Sequence, residues 1–280
     1  MLAKAFHVFT FQMRSIGERI LMVFGLVFLF VWSNMQPVAD FAVAMDLDVT
    51  PWGFPHVVND WLSMLVIMAG AAALFCDAPF RSDLQNYILP RAGQRPWVLG
   101  HILYILVLSF LYVLVILIAC LVPFLARMDL QMGWGKVWGT LARTTLGSEY
   151  GVPFRVNDYL VGAYHPASAA AYSFLLTWTC CVWLGLLTYF VNSLTGTYAG
   201  TFASAGFVLM DVTVANEWLP WFYKISPVTM AQLHTLKNSG SSIYRVTPRY
   251  AVTFFLLTLS FFAAGTLAHG KGICRRIRHN

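Results

Sequence analysis

Between Trp97 and Val122 the chain carries no Asp, Glu, Lys or Arg. That run exceeds the roughly 20 mainly apolar residues needed to cross the ~30 Å hydrocarbon layer of a bilayer. No water satisfies peptide groups in lipid, so such a segment must close its own hydrogen bonds as a helix. Applied along the chain, the same rule gives six transmembrane helices at about 20–37, 60–78, 97–124, 167–191, 197–215 and 250–269. They take up nearly half of a sequence that is 59% apolar and only 11% charged, where a soluble domain averages about a quarter charged. No large soluble domain remains. The expected class is an all-α membrane protein with one transmembrane domain over residues 1–280.

The net charge of +6 does not mark a nucleic-acid binder, because the cations sort by side of the membrane. With the N-terminus inside, Lys4, Arg14, Arg19, Arg81, Arg91, Arg95, Lys271, Arg275, Arg276 and Arg278 are cytoplasmic. The other cations fall in two long outer segments, 127–166 and 216–249, whereas the short outer loop 38–59 holds only Asp40, Asp46 and Asp48. Cation density in short loops sets orientation, so both termini are expected in the cytoplasm. The cysteines, Cys76, Cys120, Cys180, Cys181 and Cys274, lie in spans or at the cytoplasmic end. No outer disulfide framework is available, and they read as small packing residues.

Residues 1–19 precede the first span. Phe6, Phe9, Met13, Ile16 and Ile20 recur at helical spacing opposite Lys4, Arg14 and Glu18, the pattern of an amphipathic helix lying in the inner interface on membrane lipid. The apolar core that follows lacks a small-residue cleavage site, which argues against a signal peptide. Trp52, Trp61 and Trp97 are placed as interfacial anchors, and Asn59 or Asp60 as a cap of the second span.

The stretch between spans two and three is punctuated as a helix of its own. Ser82, Asp83, Leu84 and Gln85 have the form of a capping box, in which two side chains satisfy orphan amides. Leu84, Tyr87 and Ile88 share one face, Pro90 and Gly93 stop the helix, and Pro96 sits in the first turn of the next. A short capped helix tied to two spans is a docking device.

Outside, Asp129–Leu146 is apolar enough to lie on the membrane as an irregular helix, and the polar remainder holds Glu149, Arg155, Asp158 and His165. These residues fit no metal-ligand spacing. Spans four and five are joined only by residues 192–196, which predicts an antiparallel hairpin. Gly196, Gly200 and Ser204 form a small-residue stripe that permits close helix approach, either to a second subunit or within this chain. Asp211 is an acid inside the fifth span near its outer end, lining a polar vestibule or reaching headgroup water. Beyond it, Ser226 and Pro227 read as a cap and first-turn proline, starting a helix that Asn238 to Gly240 closes.

Catalytic and nucleotide motifs are scarce. The sequence has no phosphate-binding G-x-x-x-x-G-K-[ST] loop, no H-E-x-x-H and no G-x-S-x-G. Its scattered histidines offer no pair for a transmembrane haem, and buried acids on several helices, as proton coupling would need, are missing. The chemistry suits a passive scaffold moved by another subunit.

The whole pattern resembles the permease subunits of six-helix, ABCG-like (type-2) ATP-binding-cassette exporters. The likeness is sharpest from Leu74 to Tyr104 and resembles a small bacterial group. There an acidic-x-Pro-Phe turn (Asp77, Pro79, Phe80) precedes a tyrosine (Tyr87), an arginine-rich turn (Arg91, Arg95) and a W-x-x-G-x-x-L-Y span start (Trp97, Gly100, Leu103, Tyr104). The resemblance implies a bacterial plasma-membrane exporter and a separate ATP-binding subunit that holds ATP and magnesium, with no cofactor in this chain. It implies a second permease chain, identical or not, and an ATPase-coupling role for Ser82, Asp83, Leu84, Gln85, Tyr87, Ile88, Arg91 and Arg95. It does not fix the cargo. Two other readings stay open: a membrane enzyme with an outer site built from Glu149, Asp158, His165 or His234, and a non-transporting anchor or sensor.

Overall fold

The computed structural model describes residues 1–80, 93–236 and 246–277, with side chains to residue 268. The expected docking helix therefore lies outside the described residues. In chain order the helices are α1 (Leu2–Arg14), α2 (Glu18–Ala44), α3 (Phe54–Val58), α4 (Trp61–Leu74), α5 (Gln94–Leu121), α6 (Gly135–Arg143), α7 (Leu146–Glu149), α8 (Asp158–Ala163), α9 (Pro166–Thr195), α10 (Ala199–Ala215), α11 (Pro227–Met230) and α12 (Pro248–Ile277). Among the described residues there is no strand, only the isolated bridges Val49–Met128 and Leu236–Val246.

Four helical stretches are long and apolar enough to cross a membrane: Glu18–Ala44, Gln94–Arg127, Pro166–Thr195 and Pro248–Ala268. Helices α4 and α10 have 14 and 17 residues, about 21 and 26 Å at 1.5 Å per residue. Helix α9 is the centre, packed by α4, α5, α10 and α12, while α2 and α12 lie at the periphery. Leu21, Leu26 and Leu29 on α2 and Val252, Leu256, Leu257 and Phe261 on α12 are exposed, forming apolar faces suited to lipid.

Lipid tails are as apolar as leucine, so close fit and hydrogen bonds hold such helices together. Tyr112 is fully buried and donates to the Ile67 carbonyl at 2.7 Å. Gly70 makes room for it, since a Cβ there would collide with the hydroxyl. The Trp178 indole donates to the Leu106 carbonyl at 3.0 Å, and that of Trp183 to the Thr258 hydroxyl at 2.8 Å, joining α9 to α5 and α12.

Several local expectations change. Helix α2 continues through Pro37 to Ala44 because Val38, Phe41 and Ala42 are buried, and Phe41 meets Tyr150 edge-on. Helix α1 turns Ala5, Val8 and Gln12 inward, leaving Phe6 exposed and Phe9 and Met13 partly covered. Its approach to α5 is too close for rings: a Cβ on Gly100 would lie 2.6 Å from the Val8 Cβ. That approach buries Trp97 against His101 instead of leaving it as an interfacial anchor. Helix α6 does not lie free on lipid. Val137, Trp138 and Leu141 are buried, and Trp138 donates to the Thr50 carbonyl at 3.0 Å.

Segments 45–60, 128–165 and 220–236 form a cap over one end of the bundle. Thr50 donates to the Trp134 carbonyl at 2.8 Å, Trp134 to the Tyr164 carbonyl at 2.9 Å, and Trp52 to the Gln131 carbonyl at 3.1 Å. At the opposite end α1 lies across the start of α5.

Candidate functional site

Two places gather polar chemistry. The first, at the α1 end, is the turn Cys76–Phe80 that follows α4, and four other helices grip it. Arg19 of α2 pairs with Asp77 at 2.8 Å. The Asn192 amide of α9 donates to the Ala78 carbonyl at 2.8 Å, and the Thr201 hydroxyl of α10 to the Cys76 carbonyl at 2.8 Å. Phe80, in a left-handed conformation at φ 52°, is buried among His101 and Tyr104 of α5 and Tyr189 of α9. The Arg19–Asp77 pair is half exposed and worth at most about 1 kcal/mol. The neutral bonds and Phe80 fix the turn.

The same end contains a buried polar chain. Gln12 of α1 lies 3.1 Å from Nε2 of His101, whose Nδ1 lies 3.3 Å from the Tyr189 hydroxyl. It links α1, α5 and α9 just behind Phe80. Hydrophobic periodicity could not reveal it, because Gln12 falls off the aromatic stripe of α1.

The second place is a cleft of about 410 Å³ at the cap end, between the start of α4, the end of α10 and the cap. Asp60 caps α4 by accepting from the Ser63 amide at 3.0 Å. The Asn59 Oδ1 instead accepts from the His234 amide at 3.0 Å, and its own amide donates to Ser173 at 3.1 Å. Asp211, 2% exposed, closes the floor. Its Oδ1 accepts from the Thr229 hydroxyl at 2.6 Å and its Oδ2 from the Gln232 amide at 2.9 Å. Asp211 thus lines a polar vestibule. Burial, with the charges of Glu217 and Asp211 nearby, holds the Tyr223 phenol on the same wall above its usual range.

The expected cap at Ser226 is present, accepting from the Thr229 amide at 3.2 Å, and Pro227 opens α11. That helix has only four residues, and Thr229 within it and Gln232 just beyond it bond Asp211 through their side chains. Asp158 and His234 line the cleft together; Glu149 and His165 do not. Among the described residues no three His, Cys, Asp or Glu side chains are grouped to hold a metal.

Of the expected coupling residues, Ser82, Asp83, Leu84, Gln85, Tyr87, Ile88 and Arg91 lie outside the described residues, and Arg95 is exposed in the first turn of α5. The small-residue stripe divides. Gly196 ends α9 in the left-handed conformation, its amide on the Asn192 carbonyl at 2.9 Å. Gly200 and Ser204 face α9 of this chain: a Cβ on Gly200 would sit 2.6 Å from the Thr188 carbonyl, and Ser204 bonds the Thr188 hydroxyl. The Gly200 amide donates to Asn192 Oδ1 at 2.7 Å. The predicted α9–α10 hairpin forms around that contact. The chain matches no family model, no curated protein and no solved structure.

Proposed function

We propose that this chain is the membrane-spanning permease subunit of an ATP-binding-cassette exporter, moved by a separate ATP-binding subunit and working beside a second permease chain. The reading is carried by one observation: the turn leading directly into residues 81–92 is fastened to α2, α5, α9 and α10 at once. A docking helix transmits motion only if its base is rigidly joined to several spans, and this base is. The motif from Asp77 to Tyr104 adds to it, as does α1, seated against α5 beside that base. In this reading the α1 end is cytoplasmic, in a bacterial plasma membrane.

The reading takes six crossings, and the places where the two short helices begin and end support it. Helix α4 is capped by Asp60 in the cap and leads into the turn with Asp77, which meets Arg19 at the start of α2. Helix α10 starts beside Asn192 and Cys76, and Asp211 in its last turns lies under the cap. Each covers the height of the bundle with its flanking turns.

The test is pull-down of the ATP-binding subunit and measurement of its hydrolysis, with wild type and two variants in one detergent. Tyr87→Asp and Leu84→Asp each put a charge on the proposed docking face, where a desolvated unpaired charge costs several kcal/mol of the roughly 8–12 available to micromolar-to-nanomolar partners. Both variants should insert normally and release or uncouple the ATPase. Retention of binding and hydrolysis by both would remove the docking role.

A further inference from the structure

An ionised carboxylate withdrawn from water is costly unless a cation accompanies it. Asp211 is 2% exposed, and the ion pairs among the described residues join Arg19 to Asp77, Arg127 to Asp46 and Arg143 to Asp158. None reaches Asp211. Its two oxygens each meet a polar partner, the Thr229 hydroxyl and the Gln232 amide, and both bonds favour the charged form. Neutral donors recover only part of its lost hydration.

The carboxylate nevertheless faces open volume. The cleft above it, about 410 Å³, is of the size that holds small organic ligands. Asp60 and Asp158 add negative charge to its wall, against Arg155. Trp61 and Tyr223 also line it, and aromatic faces attract alkylammonium groups. Among the described residues no three His, Cys, Asp or Glu side chains are grouped as metal ligands. An organic ammonium needs one carboxylate and an apolar surface, and both are here.

The geometry points to this cleft as a binding site for a ligand bearing an ammonium group. The nitrogen is directed at Asp211 and its carbon substituents lie on Trp61 and Tyr223. Arg155 can receive an anionic substituent where the ligand carries one. The ammonium comes either from a free amine or from a lipid headgroup. The inference depends on the chain being in a membrane but not on its being a transporter, so it is tested without any ATPase.

The purified chain is placed in nanodiscs of phosphatidylglycerol and titrated calorimetrically with tetramethylammonium chloride, with sodium chloride at equal ionic strength as the blank. The wild type should show saturable binding, and Asp211→Asn should weaken it tenfold or more. Ala215→Phe keeps the carboxylate and fills the cleft from its wall, so it should abolish binding and decides the matter if Asp211→Asn fails to fold. Repeating the titration with phosphatidylethanolamine in the discs separates the sources. Suppressed binding assigns the site to a lipid headgroup, and unchanged binding assigns it to a soluble amine. Absence of saturable binding in the wild type, or equal binding in either variant, overturns the proposal.

Discussion

At the scale of single residues the cap contains a group whose protonation state bears on stability. His56 is 1% exposed, stacked on Trp138 at 4.9 Å and tilted against Trp134 at 5.0 Å, and neither ring nitrogen has a hydrogen-bond partner among the described residues. Burial pushes its imidazole down from 6.5 to about 3, so the folded cap holds it neutral. The unfolded chain binds a proton there first. The associated stability is complete above the ordinary value and is lost as pH falls from about 6.5 toward 3, at up to ~1.4 kcal/mol per pH unit. The melting temperature of the purified chain should therefore drop between about pH 7.5 and pH 5. His56→Phe, which keeps the ring stack, should flatten that dependence; an unchanged slope would move its origin elsewhere.

At the scale of elements the α9–α10 hairpin is the contact most sensitive to one methyl group. Gly200→Ala puts a Cβ against the Thr188 backbone, which cannot rotate away as a side chain would. Overpacking of this kind costs about 1–3 kcal/mol. The variant should insert but melt earlier, and Ala205→Leu, on the exposed side of the same helix, should not. Equal melting of both would mean that α10 shifts freely along α9. The hairpin was legible because a five-residue connection and a stripe of small residues both leave their mark in sequence. Which surface the stripe meets was not legible, since glycine spacing is the same for either partner. The inward face of α1 has no such mark: the aromatic stripe reads as a lipid-facing side, and the face that meets α5 is built from Ala5, Val8 and Gln12, which hydrophobic periodicity does not single out. In the cleft, Asp211 stood out as an acid in an apolar span. Its partners Thr229 and Gln232, in a separate segment, carried no pattern pointing back to it.

At the scale of the whole molecule the question is whether α4 and α10, each shorter than a bilayer is thick, carry the chain across. Both are fixed by polar contacts near their ends: Asp60 and Asp77 flank α4, while α10 is held by Asn192 at its start and through Asp211 in its last turns. If both cross, residues 38–59 and 216–249 lie outside, and the segment between α4 and α5 lies inside with Arg81, Arg91 and Arg95. Single cysteines report this when Cys76 and Cys274 are first replaced by serine, the remaining cysteines being buried. An impermeant thiol reagent applied to intact cells should label Asp48→Cys and Lys237→Cys. It should reach Gln85→Cys only after the membrane is opened. The positions separate the alternatives. If α4 failed to cross, residue 85 would share a side with residue 48 and would label from outside. If α10 failed to cross, residue 237 would share a side with Gly196 and would be protected. Labelling of residue 85 in intact cells would also put the expected docking stretch beyond reach of a cytoplasmic ATPase, and the exporter reading would fall with it.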